Sequence, residues 1–251
     1  MSKSEFYIRG HWELRFVKNF IKNILFGKHR VGIYKIRFGF AKGLLMYIDT
    51  NSNSQAILGT REREIQDYFK CFALQCDYFF DIGAPDGYYS LIYRRLNRGG
   101  KIFICDINTE YNELQKGNFN LNGFSFEENV SRFNQPISNA DNSRVDDLIN
   151  VKNKKIFFKI DVDGAELEVL NGGMRTFRDN PCYFIIETHT LGLEKECIRL
   201  LKDMGYVVRI IKPLWLRIFL CERRPSAHNR WFVAQRPSQK ITTVCLGSCI
   251  E

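Results

Sequence analysis

The sequence predicts an α/β fold: a mostly parallel sheet with helices on both faces and a terminal antiparallel strand, preceded by an N-terminal helix and short strands. Three observations carry this. From residue 77 onward, short apolar runs alternate with segments of helical period, which is the pattern of strands joined by crossover helices. The first of these runs ends in a glycine-containing turn, FDIGAPDGYYS at 80–90, that opens a helix. The final apolar runs, YVVRIIK and NRWFVAQ, read as an antiparallel pair.

The length of 251 residues suits one such domain with an extra N-terminal element. With 45% apolar and 26% charged residues, the composition excludes collagen-like, fibrous and disordered chains. No uninterrupted apolar run approaches the roughly 18–20 residues of a membrane span, and the charged N-terminus is unlike a cleaved signal peptide. The eight cysteines are scattered without a CxxC pair. Neither a zinc finger nor a redox motif is signalled, and buried reduced thiols in a cytoplasmic protein are expected.

Charge is unevenly spread. Residues 1–42 hold ten Lys/Arg against Glu5 and Glu13, and residues 209–251 hold eight against Glu222 and Glu251, so the centre is net acidic. Basic ends of this kind can meet an anionic partner. Within the first segment, Trp12, Phe16, Phe20 and Ile24 recur every four residues with Arg15, Lys18 and Lys22 elsewhere on the turn. Such a basic amphipathic helix packs on its own domain, docks on a second subunit or lies peripherally on a membrane. The sequence leaves these open, and oligomeric state with them. The expected organisation is this helix and short strands over 1–60, the α/β domain over 61–237, and a frayed tail over 238–251.

In chain order, VGIYKIRF and LLMYID predict two short strands joined through Gly39 and Gly43. TREREIQDYFKCFAL at 60–74 predicts a helix with Thr60 as its N-cap. Strands follow at 77–83, 101–107, 124–130, 154–161 and 182–188. Between them lie the helical patterns YYSLIYRRL, EYNELQKGNFNL, AELEVLNGGMRTF and EKECIRLLKDMG. A loop containing Pro213, Pro225 and Ser226 links the last two strands.

The 80–90 segment carries the chemistry. Gly83 permits a sharp turn, Gly87 permits close helix–strand approach, and the new helix presents free N–H groups at its positive end. The spacing is D-x-G-x-x-x-G rather than G-x-G-x-x-G. An acidic residue opening the turn suits a cofactor that carries an ammonium group. Asp106 follows Gly83 by 23 positions, where a carboxylate would meet ribose hydroxyls. Asp81 with Asp106 is the pattern of S-adenosylmethionine binding.

The motifs FFKIDVDGAELEVLNGG (157–173), YFIIETH (183–189), DIGAPDGYYS, NFNLNG (118–123) and RVDDL (144–148) together resemble the FkbM-type methyltransferase family. The likeness covers roughly residues 31–236, and the KID-acidic-GAE run is its most specific part. It implies a Rossmann-like class I methyltransferase that uses S-adenosylmethionine to methylate hydroxyls of sugars, glycolipids or small natural products. By matching position, Asp81, Gly83, Ala84 and Gly87 would hold the methionine half, Asp106 the ribose, and Glu62 would border the same pocket. Pro85 stands where the family usually has Asn, and Asp163 where Glu is usual. The stretch between Gly123 and Arg144 is short for the family. Asn129 is a candidate for the adenine edge.

Asp161, Glu187 and His189 fall at strand ends on the same sheet edge as Gly83, so they are the candidate catalytic groups. His189 is the best general base by intrinsic pKa, with Asp161 as alternative base or orienter. An internal Lys159–Asp161 ion pair, a helix-capping Glu187 and an exposed loop His189 are the competing structural readings. A divalent metal on Asp161, Glu187 and His189 is chemically reasonable, yet the spacing does not demand it, and no metal ligands are assigned. Two further functions compete: a non-catalytic binding module, favoured by Pro85 alone, and a nucleic-acid methyltransferase. The NQPI at 134–137 is a poor match to the Asn/Asp-Pro-Pro-aromatic motif of base methylation and falls at the wrong place in the strand order, so no nucleic-acid partner is expected.

Overall fold

The computed structural model describes residues 31–212 and 229–237. The basic amphipathic pattern of residues 11–26, the Pro213–Ser226 loop and the tail from 238 lie outside the described residues. The chain divides into two compact units, with the boundary between Arg61 and Glu62.

In the first unit, β1 (Val31–Lys35) pairs antiparallel with β2 (Leu45–Asp49). Helix α1 (Thr50–Leu58) follows. Its sequence, TNSNSQAIL, lacks apolar periodicity, and the sequence reading gives it no helix. Thr60 caps no helix, contrary to the expectation. Its hydroxyl instead donates back to the Gln55 carbonyl.

The second unit begins with a 3₁₀ turn (Arg63–Ile65) and α2 (Gln66–Gln75), so the regular helix starts six residues later than Thr60. Then come β3 (Tyr78–Ile82), α3 (Tyr88–Leu96), β4 (Lys101–Cys105), α4 (Tyr111–Leu121) and β5 (Val130–Phe133). They are followed by α5 (Val145–Leu148), β6 (Ile156–Ile160), α6 (Glu166–Asn171), α7 (Met174–Asp179), β7 (Cys182–Thr188), α8 (Leu191–Asp203), β8 (Val207–Ile210) and β9 (Arg230–Gln235).

The seven strands of this unit are ordered β5-β4-β3-β6-β7-β9-β8. β3 to β7 run parallel, while β9 is antiparallel to both β7 and β8. The final strand is therefore inserted beside β7 rather than added at the edge. Every residue of β6 and β7 is buried, as expected of strands covered on both faces. Lys159 and Glu187 are the charged exceptions in these two apolar runs.

One face of the sheet carries an aromatic row. Phe103, Phe80, Phe158 and Phe184 stand side by side on β4, β3, β6 and β7. Successive rings are stacked with centroids 4.3, 4.8 and 5.3 Å apart. Phe177 and Tyr206 meet this row edge-on from outside the sheet. On the other face Phe79, Phe157, Phe69 and Phe72 pack together.

Two further expectations change. The strand expected over 124–130 lies instead at Val130–Phe133, and Phe126 of the FSF run packs edge-on against Phe119 of α4. The single helix expected over 165–177 is two, since the backbone breaks at Gly172–Gly173. The RVDDL motif serves here as a cap. Asp146 accepts from the backbone N–H groups of Arg175 and Thr176, at 3.0 and 2.8 Å, at the start of α7. All five cysteines among the described residues are buried free thiols. No described helix is long and apolar enough to cross a membrane.

Candidate active site

The parallel register brings the ends of β3, β4, β6 and β7 to one edge. Gly83, directly after β3, has φ +81, and a Cβ there would lie 1.9 Å from the Asp161 carbonyl oxygen. Only glycine lets the turn pass this close to the end of β6. Its N–H donates to the Cys105 carbonyl, and the Asp161 N–H donates to Ile82, so three strand ends are laced together. Gly87, at φ +65, is the N-cap of α3.

Helix α4 secures the turn between these glycines. Gln115 donates to the Ala84 carbonyl and Asn118 to the Asp86 carbonyl, and both side chains are fully buried. Gln115 also accepts from Arg132, which donates to Asn134. Asn134 in turn donates to the backbone carbonyl of Asp106. This web beside Asp106 is all but invisible in the sequence. Its one sequence signal is Gln115 and Asn118 one helical turn apart, on a face shared with Phe119. Asp106 itself is half-buried, and its Oδ1 accepts from the Asn108 N–H. Asn129 does not join the site. The pairing of Ile102 with Val130 puts it before β5, at the opposite sheet edge, where its carbonyl accepts from Ile102 and Arg94.

Asp81 is buried, with Oδ2 accepting from both the N–H and the hydroxyl of Ser90, at 3.0 and 2.6 Å. Its Oδ1 is buried without a hydrogen-bond partner. Burial pushes the carboxyl up to about 6, against the opposing pull of Lys159 and Ser90. A buried carboxylate oxygen lacking a donor, at the mouth of a glycine turn, fits the ammonium of an amino-acid-like cofactor.

Lys159 is the hub on the other side. Its ammonium lies 3.0 Å from Asp161 Oδ2 and against the rings of Tyr89 and Trp231, at 5.1 and 5.5 Å. Burial alone would lower its pKa, but the carboxylates of Asp161, Glu62 and Asp81 outweigh that and hold it raised. Glu62, in a left-handed conformation at φ 48, accepts a 2.6 Å bond from the Tyr89 hydroxyl. The Lys159–Asp161 ion pair is thus present, but within a larger cluster.

His189 lies just past β7, with its side chain 13% exposed rather than free in a loop. Its Nδ1 donates to Glu166 Oε1 at 2.6 Å, and its Nε2 lies 3.3 Å from Asp163 Oδ1 and 3.9 Å from Asp161 Oδ1. The Glu166 bond holds the imidazole pKa raised, against burial. Glu187 is buried at the end of β7 and hydrogen-bonds Asp161. Although burial works to raise the Asp161 pKa, Lys159, Glu187 and His189 hold it low. Asp161, Glu187 and His189 therefore converge. Carboxylates and an imidazole beside a cation-fitting turn can orient a hydroxyl and take its proton.

The model of the Methyltransferase FkbM domain family matches residues 81–208. Among solved structures, a proposed rRNA methylase from Clostridium thermocellum shares the fold at TM-score 0.51, with 12% identity over 72% of this chain and 96% of that one. A methyltransferase FkbM from Methylobacillus flagellatus aligns at TM-score 0.49 and 13% identity, over 63% of this chain and 43% of that one. A precorrin-6y C5,15-methyltransferase from Geobacter metallireducens aligns at 0.47 and 18%, over 76% and 98%. No curated protein matches the sequence significantly.

Proposed function

Because the chain belongs to the FkbM methyltransferase family and uses S-adenosylmethionine, we propose that it methylates a hydroxyl of a sugar, glycolipid or small natural product. The observation that carries this is the convergence of two different sets of groups on one sheet edge. Around the β3 turn are Asp81, Gly83, Ala84, Gly87 and Asp106, which suit the cofactor. At the ends of β6 and β7 are Asp161, Glu187 and His189, which suit a hydroxyl. Asp81 would hold the ammonium, Asp106 the ribose, and Glu62 would act at a distance by fixing Tyr89 against Lys159.

Bound there, S-adenosylmethionine supplies an electrophilic methyl group on a sulfonium. The protein's part is alignment and proton removal. Asp161, kept ionised by Lys159, would accept the hydrogen bond of the incoming hydroxyl. His189, steadied by Glu166, would take or relay the proton. The DVDG after β6 lacks the Pro-Pro-aromatic run that amino methylation of bases uses after that strand, which favours a hydroxyl over a base nitrogen.

The test is a transfer assay with methyl-labelled cofactor against sugars, glycolipids and polyketide alcohols, with RNA as comparator. Label in a hydroxyl acceptor is expected. Label in RNA alone would overturn the acceptor class. At saturating acceptor, His189→Ala or Asp161→Asn is expected to lower turnover by roughly 10²–10⁴ with cofactor affinity nearly intact.

A further inference from the structure

We propose that Asp161, Glu187 and His189 together bind one divalent transition-metal cation, of the Mn²⁺ type, which receives the acceptor hydroxyl. The inference rests on the methyl-transfer reading for its role, but not for its existence. One ligand atom from each residue lies within 4.8 Å of the others. Asp161 Oδ1 and His189 Nε2 are 3.9 Å apart, too far for a hydrogen bond. Ligand atoms each about 2.1 Å from one cation stand roughly 3–4 Å apart, so the widest pair needs to close by about 1–2 Å.

The surroundings are those of held ligands. Asp161 gives its other oxygen, Oδ2, to Lys159 at 3.0 Å, which fixes the carboxylate plane and turns Oδ1 towards His189. His189 gives Nδ1–H to Glu166, and its Nε2 faces Asp163 Oδ1 at 3.3 Å and Asp161 Oδ1 at 3.9 Å, so a cation that binds Nε2 takes the place of a proton shared with those carboxylates. Metal-bound histidines commonly donate their second nitrogen to a carboxylate in this way. Glu166 is wholly buried, and its Oε2 has no hydrogen-bond partner. Held on the Nδ1 side of the ring, this carboxylate steadies the imidazole rather than meeting the cation or its waters. The imidazole favours a first-row transition cation over Mg²⁺, which prefers all-oxygen shells, and the two carboxylates suit Mn²⁺ within that row.

A cation here would lower the pKa of a coordinated hydroxyl. With His189 Nε2 and Asp161 Oδ1 engaged by the cation, the O–H bond breaks and its proton passes to water rather than to His189. The oxygen forms the new C–O bond as the methyl's C–S bond breaks, leaving a neutral thioether. No electron is gained or lost, so no oxidant is required.

The experiment is an electron paramagnetic resonance titration of the chelator-stripped full chain with Mn²⁺, which loses its free-ion signal on binding. One site per chain is expected, weakened at least about tenfold in Asp161→Asn and in His189→Gln, and about 10–100-fold in Glu166→Gln, with circular dichroism confirming the fold of each. Unaltered free-ion signal for the folded wild type up to about 1 mM Mn²⁺ would overturn the site and leave Lys159 as the counter-charge of Asp161. Wild-type affinity in all three variants would place any bound ion elsewhere and overturn it equally. Calorimetry with S-adenosylmethionine in parallel separates the two readings. Cofactor binding without Mn²⁺ binding sinks only the cation site, whereas Mn²⁺ binding without cofactor binding sinks methyl transfer and supports the site.

Discussion

At the scale of single residues, the informative groups are those whose burial conflicts with their charge. Asp81 has a folded pKa of about 6 against an ordinary 3.8. The folded state thus binds the proton more tightly, so this group's contribution to stability falls as pH rises from 3.8 to about 6. It costs at most about 3 kcal/mol above that window. Asp81→Asn is therefore expected to raise the melting temperature of the ligand-free protein at pH 7.5, read by calorimetry. Wild-type cofactor affinity is expected to strengthen between pH 5 and about 7, as the carboxylate forms, and Asp81→Asn to weaken it and flatten that profile. A melting temperature lowered by Asp81→Asn would mean that the ionised carboxylate is satisfied in the fold. Asp106 is half-buried, so Asp106→Ala is expected to weaken cofactor binding by about 1–3 kcal/mol with little change in stability. Isothermal titration decides this, and unchanged affinity would remove β4 from the cofactor edge.

At the scale of elements, the β3 turn and the aromatic row are the points of least tolerance. Gly83→Ala must accept both a left-handed backbone and a Cβ 1.9 Å from the Asp161 carbonyl. The conformational term alone is about 1–2 kcal/mol, and the clash adds to it by pushing β6 from β3. Loss of cofactor binding together with a lower melting temperature is expected, read on the same sample. Phe158 stacks between Phe80 and Phe184 and is fully buried. Phe158→Ala is expected to destabilise by about 3–5 kcal/mol in urea unfolding, and Phe158→Leu by much less. The turn was legible in the sequence because D-x-G-x-x-x-G is a local requirement. The clamp on it from Gln115 and Asn118 was not, because hydrogen bonds across 31 and 32 positions leave no local pattern. The strand at 130–133 is hidden in the sequence for a related reason. It is a short run whose identity as a strand comes from pairing with β4, not from its own alternation.

At the scale of the molecule, the chain's last described strand sits between two earlier ones, with β9 joined to both β7 and β8. It also delivers Trp231 against Lys159. Truncation after residue 212 is therefore expected to leave β7 with an unpaired edge and to abolish cooperative thermal unfolding, measured by circular dichroism. A truncated chain that unfolds cooperatively and binds cofactor would show that β9 is dispensable.

The sequence by itself determined the α/β class, the order of most elements, the glycine turn and the place of Asp81, Asp106, Asp161, Glu187 and His189 at strand ends. Each depends on periodicity or spacing within a few residues, which steric and hydrogen-bonding rules make readable. Only the tertiary structure decided that Lys159 centres a buried cluster, that Glu166 grips His189, and that Asn129 lies at the far edge. Those depend on strand register and on which helix covers which face, because parallel pairing brings together residues tens of positions apart without any mark in the local sequence.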